Sequence, residues 1–167
     1  TLKVDTNPPQ VALVSPLNGS VTNDGRITFT YEPVDINLQA CMFYVNFDGT
    51  WKLNETDITP IPDKYFPVVN PVDLFEGTYT WNVRCNDSAG NFAFNSTNYT
   101  VTVDLTVPSI SFGEGTEPNG LFVNRDWIYV NVSANDTYEA NITFYLYNKT
   151  RLVNMTSLAA GSRTFNW

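Results

Sequence analysis

Along the first hundred residues, large apolar side chains alternate with polar ones in short stretches, each closed by turn formers. Val11 and Leu13 open the series before a Ser-Pro-Leu-Asn-Gly turn, and Ile27, Phe29 and Tyr31 then alternate with Thr28 and Thr30. Cys41, Phe43, Val45 and Phe47 make the inward face of a third strand that ends at Asp48-Gly49. Tyr79, Trp81, Val83 and Cys85 share one face, with Thr80, Asn82 and Arg84 on the other, and Tyr99, Val101 and Val103 complete the set. A period of two sends successive side chains to opposite faces, so each stretch reads as a half-buried strand. Strands at this spacing predict an all-β sandwich. Between Trp51 and Leu74, Pro60, Pro62, Pro67 and Pro71 remove ladder donors and confine the segment to edge strands and loops. No helical period occurs.

The pattern then starts again. Thr1-Leu2-Lys3-Val4-Asp5 followed by Pro9 matches Thr100-Val101-Thr102-Val103-Asp104 followed by Pro108, an offset of about 99 residues, and Cys41 to Val45 falls opposite Ala140 to Phe144. The expected organisation is therefore an array of like units: 1–8 the tail of a preceding last strand with its linker, 9–104 a whole sandwich, and 105–167 a second sandwich lacking its last strands. Completion of that second unit has two readings, later residues of one long chain or strand donation from a neighbouring subunit. Donation by Thr1 to Asp5 alone leaves the place of Tyr79 to Cys85 unfilled, which ranks it second.

Composition narrows the class. Hydrophobic residues at 43% and aromatics at 14% suffice for sandwich cores and argue against wholesale disorder. A net charge of −8 argues against nucleic acid or an anionic membrane surface as partner, because little on the chain can neutralise phosphates. The acidity belongs to the first unit: five basic and twelve acidic residues lie up to Asp104, four and five after it. No apolar run in this window approaches the roughly 18 residues of a membrane helix.

Asn-x-Ser/Thr sequons begin at Asn18, Asn54, Asn86, Asn95, Asn98, Asn131, Asn135, Asn141, Asn148 and Asn154, ten in all. With 20 asparagines and 29 serines plus threonines, chance alone gives about three or four. The excess points to N-linked glycan on an exposed protein; the bland alternative is that Asn- and Thr-rich strands generate sequons freely. Alternation places Asn141 beside inward Ile142, Phe144 and Leu146, and Asn98 beside inward Tyr99, so both face solvent.

The two cysteines sit on inward faces, Cys41 opening the third strand and Cys85 closing the sixth. In a sandwich of immunoglobulin type those strands are antiparallel neighbours, which makes a disulfide natural. Two buried free thiols in a reducing compartment are the rival arrangement, and the sequon excess favours the oxidising one.

The run Gly77-Thr78-Tyr79-Thr80-Trp81-Asn82-Val83-Arg84-Cys85-Asn86-Asp87-Ser88-Ala89-Gly90-Asn91, with Cys41 before it and Val103-Asp104-Leu105-Thr106-Val107-Pro108 after it, resembles the tandem immunoglobulin-like domains of large archaeal and bacterial cell-surface proteins of adhesin, S-layer or filament type. The resemblance implies Greek-key β-sandwiches in tandem, displayed at the cell surface, with Cys41 and Cys85 as the bridging pair. The second unit departs from it, since Ala140 stands where Cys41 would.

Candidate chemistry is sparse. Histidine is absent, so His-based triads and imidazole-ligated zinc are excluded. Asp57, Asp63, Asp73 and Glu76 scatter over the Pro-rich stretch without glycosidase spacing. The turn Asn86 to Asn91, through Asp87 and Asn91, together with Asp104 at the unit junction, offers hard oxygen ligands suited to calcium. Such residues also populate tight turns for local hydrogen-bonding reasons. Trp51, Tyr65 and Phe66 are candidates for an aromatic platform for sugar, with core or edge packing as the alternative. The expectation is a non-enzymatic extracellular module that needs no cofactor, whose partners are neighbouring copies or domains, N-linked glycans and surface polysaccharide. A non-catalytic carbohydrate-binding or spacer module of a secreted hydrolase is the competing reading.

Overall fold

The alternating stretches become strands because β-branched and aromatic side chains fit a pleated surface with one buried face. The computed structural model describes residues 3–60, 66–69 and 73–167, the short middle range by its backbone. Its described residues form fourteen β-strands and no helix. The chain divides into two compact units, Thr1–Leu105 and Thr106–Trp167.

In the first unit, β1 (Gln10–Ser15), β3 (Thr28–Val34) and β6 (Phe66–Val69) form one sheet in the order β1-β3-β6. The facing sheet runs β2-β9-β7-β4-β5, from β2 (Ser20–Thr22), β9 (Tyr99–Val103), β7 (Gly77–Asp87), β4 (Leu38–Val45) and β5 (Lys52–Asp57), with β8 (Phe92–Phe94) paired to β7. The Pro-rich stretch supplies β6 at the edge of its sheet, where Pro67 needs no outward partner. Two strands exceed what alternation predicts. Strand β2 is three residues long and pairs parallel with β9, which makes the strand of Cys85 the seventh rather than the sixth, and β8 splits off from the turn after β7.

Strand β7 is the axis of this unit. It pairs with β4 through Trp81–Asp87 on one edge, and with β9 through Gly77–Trp81 and β8 through Arg84–Asn86 on the other, and its inward residues Tyr79, Trp81, Val83 and Cys85 lie between the sheets. Trp81 is fully buried, 5.0 Å from the Phe29 ring and 5.9 Å from the Tyr99 ring, edge-on to both. Phe43 stands 4.9 Å from Phe29, and Leu13, Ile27, Tyr31, Val45, Leu74, Val101 and Val103 fill in around these rings. Cys41 and Cys85 are direct cross-strand partners in one sheet, with Cα atoms 4.1 Å apart, and they form a disulfide. The thiol alternative is thereby set aside.

The second unit has two small sheets. One is β10-β11-β14, built from β10 (Ser109–Phe112), β11 (Tyr129–Asn135) and β14 (Thr164–Asn166); the other is the hairpin β12-β13, from β12 (Asn141–Tyr147) and β13 (Leu152–Ala159). Ile142 and Phe144 are buried against Val130 and Val132, while Phe165 and Trp167 lean on them from the rim. Leu146, expected inward, is only half-buried, because it lines a groove of ≈ 390 Å³ that opens between the sheets beside Ile110, Phe112 and Tyr145. Arg163 ties the base of this unit together, donating to both oxygens of Glu139 and to the Ala134 carbonyl.

Candidate functional site

Two features gather chemistry in the first unit. The first lies at the end of the sandwich where β3 turns into β4 and β7 turns toward β8. Because Leu38 pairs with Asp87, the two turns are neighbours, and the Ser88 amide donates to the Asn37 carbonyl at 2.9 Å. Asp35 in one turn, Asp87 in the other and Asp5 from the N-terminal segment bring carboxylate oxygens within 4.8 Å of one another. Asp87 is fully buried. Its Oδ1 accepts from the amides of Ala89 and Asn91, both at 2.9 Å, and its Oδ2 from Asn91 Nδ2 at 2.8 Å. Asn91 Nδ2 also reaches the Asp5 carbonyl at 3.1 Å, and Asn37 Nδ2 donates to Asp5 Oδ2 at 2.8 Å. Gly90 makes this turn possible with φ of 94°, which a side chain would oppose.

Burial pushes the Asp87 carboxyl up, but the Asn91 side chain and the amides of Asn91, Ala89 and Gly90 outweigh it and hold the group below its ordinary value. Oxygen donors of this hardness suit a calcium-sized cation. Asn37 and Asn91 already satisfy the carboxylates they face, so the arrangement is self-sufficient as a clamp that fastens the N-terminal segment to this end of the unit. Of the three oxygen-bearing candidates named from the sequence, Asp87 and Asn91 meet here. Asp104 is not among them: it follows β9 at the end where Val103 pairs with Gly77, the far end of β7 from Asp87, and its amide donates to Thr22. Asp5 and Asp35 are the members the sequence did not reveal.

The second feature is the outer face of the larger sheet. Trp51 stacks on Tyr44 at 6.0 Å and 23°, and Phe94 meets Tyr44 edge-on at 5.2 Å. Arg84 lies 5.9 Å from the Tyr44 ring centre and 5.3 Å from that of Phe92, within cation–π range. Trp51, Phe94, Phe92 and Leu53 are all exposed. Of the expected platform, Trp51 belongs to this face; Tyr65 and the side chain of Phe66 lie outside the described residues, as does Asp63. The remaining Pro-rich carboxylates do not converge on a reaction centre: Asp73 pairs with Arg26 at 2.6 Å in solvent, and Asp57 accepts from the Tyr31 hydroxyl at 3.3 Å.

The ten sequon asparagines divide into two groups. Asn86, Asn95 and Asn131 are half-buried and their Nδ2 atoms are committed, Asn86 to Gln39 and Asp87, Asn95 to Thr97, and Asn131 to Glu114. Asn18, Asn54, Asn98, Asn135, Asn141, Asn148 and Asn154 are exposed. Where Asn18, Asn98, Asn148 and Asn154 bond, they accept through Oδ1 and leave the glycan-accepting nitrogen open among the described residues.

Comparison with solved structures gives the fold an external anchor. The chain is similar to the fibronectin(III)-like modules of Clostridium thermocellum CbhA, at a TM-score of 0.56 and 18% identity over 95% of this chain and 78% of that one. At that identity the likeness speaks to the all-β sandwich fold. No family model matches the sequence, and no curated protein matches it.

Proposed function

We propose that this chain is an extracellular, non-catalytic structural module, a pair of glycosylated sandwich units that extends and displays a surface stalk, sheath or filament. The observation that carries the reading is the distribution of the seven exposed sequon asparagines over both units, three in the first and four in the second. A disulfide at the centre of the first unit supports an oxidising compartment. Fibronectin(III)-like architecture supports a non-catalytic module of a multidomain protein; adhesion to neighbouring copies or surface polysaccharide is the outward role we propose for it. The test is made on native material: labelling of intact cells with a membrane-impermeant reagent, followed by glycopeptide mass mapping. Surface labelling with glycan at several exposed sequons is the expected result. A protein shielded from the reagent and bare at every sequon refutes it.

The exposed aromatic face favours a second reading, a carbohydrate-binding module of a secreted hydrolase. Binding of soluble polysaccharide by the unglycosylated chain, abolished by Trp51→Ala, would select it.

A further inference from the structure

We propose that the aromatic face of the first unit is the seat of the protein's own glycan: the innermost pyranose of a chain carried on Asn54 packs on Trp51 and Tyr44. The inference rests on the glycoprotein reading above and adds to it a place and a contact. Three observations converge in one hairpin. Asn54 is exposed and donates to no described group through its side chain. It is the extra residue of a β-bulge, because Tyr44 pairs with Leu53 and Phe43 with Glu55, so Asn54 has no cross-strand partner and the strand bends there. Trp51 stands three residues before it and Thr56, the sequon hydroxyl, two after it.

The face needs a cover. Trp51 is 41% exposed, Phe94 40% and Leu53 46%, a contiguous apolar patch beside an acidic, otherwise polar strand. A pyranose presents one flank of C–H groups, which is apolar and weakly positive, and the face of an aromatic ring is negative. Asn54 adjoins Leu53, which lies directly opposite Tyr44, and Tyr44 stacks on Trp51, so a sugar on Asn54 begins one residue away from the rings. Tethering holds the sugar at a high effective concentration, and a contact too weak to bind free monosaccharide still forms. Arg84, held against Tyr44 and Phe92, closes the far side of the face with hydrogen-bond donors suited to sugar hydroxyls.

The test compares the chain made in a host that attaches N-glycans with the chain made in one that does not, each with and without Trp51→Ala. Glycopeptide mapping should find Asn54 occupied. Trp51→Ala should lower the thermal midpoint by about 4 °C more in the glycosylated protein than in the bare one, the scale of one aromatic contact in a unit of this size. Ring-current shifts of the innermost sugar's protons should vanish with Trp51→Ala, and Asn54→Gln or Thr56→Ala should return the Trp51 effect to its bare value. Equal losses in the two proteins overturn the contact, as does polysaccharide binding at Trp51 without any coupling to Asn54. Asn54 bare while other exposed sequons carry glycan overturns this inference and leaves the glycoprotein reading standing. A native protein bare at every sequon overturns both.

Discussion

Equivalent strands in the two units meet different fates. In the first, β4 has β7 on one edge and β5 on the other, and its inward residues Cys41, Phe43 and Val45 are buried almost completely. In the second, β12 pairs among the described residues with β13 alone, and of its inward residues Ile142 and Phe144 are buried while Leu146 faces a groove. The turns leading into the two strands are alike, since Asn37 N donates to Asp35 Oδ1 at 2.6 Å and Tyr138 N to Asp136 Oδ1 at 2.7 Å. Counting from those turns puts Ile142, not Ala140, six residues on in the place of Cys41. Local structure is therefore the same, and the difference lies in one long central strand that carries a tryptophan, two ladders and a disulfide.

The largest effect should follow removal of that tryptophan. Trp81→Ala empties the middle of the first core and should cost about 3–5 kcal/mol, measured by denaturant unfolding, with the amides of the second unit unmoved in two-dimensional NMR. Next comes the bridge. Cys41→Ser or Cys85→Ser should destabilise the first unit by about 2–4 kcal/mol, read by the same titration under non-reducing conditions. In the second unit Phe144→Ala should cost less, about 2 kcal/mol, because fewer buried side chains surround the ring and a groove already lies along it. Hydrogen exchange should then show β12 less protected than β4 before any substitution. Protection of β12 equal to that of β4 would break the comparison.

The smallest effect is acid sensitivity, and it separates the units. The Arg163 side chain and the Gly161 amide hold the Glu139 carboxyl below its ordinary value, and the turn amides hold Asp87 down against its burial. A depressed carboxyl contributes stability that is present above the unfolded value, near pH 4, and is lost as pH falls through the folded one. Asp87→Asn should flatten the acid limb of the first unit and leave that of the second, and Glu139→Gln should do the reverse, both followed by thermal midpoints between about pH 2 and 6.

Much of this was readable in the chain. Strands β1, β3, β4, β7 and β9 are long enough for alternation to show which face is buried, and the Cys41–Cys85 pair follows from that facing. Strand β2 was not readable, because three residues hold no period and its pairing with β9 is purely tertiary. Asp5 and Asp35 escaped for the same reason, since the bond from Asn91 to Asp5 spans 86 residues. Tyr44 and Phe94 occupy positions that alternation assigns to solvent, so only the contact with Trp51 makes them a face. Sequons at Asn86 and Asn131 look like the rest until their amides are seen to be committed.

The parallel pairing of β2 with β9 has a mechanical meaning for any chain of such units. Ser20–Thr22 lies near the beginning of the first unit and Val101–Val103 near its end, and the two run side by side in the same direction. Bonds from Gly19 N to Thr100 O at 2.8 Å and from Asp104 N to Thr22 O at 2.9 Å extend the ladder at both ends. Tension between the termini therefore pulls the two strands past each other along their length. Every bond in the ladder is loaded at once in shear, where an antiparallel hairpin pulled from its open end would peel one bond at a time.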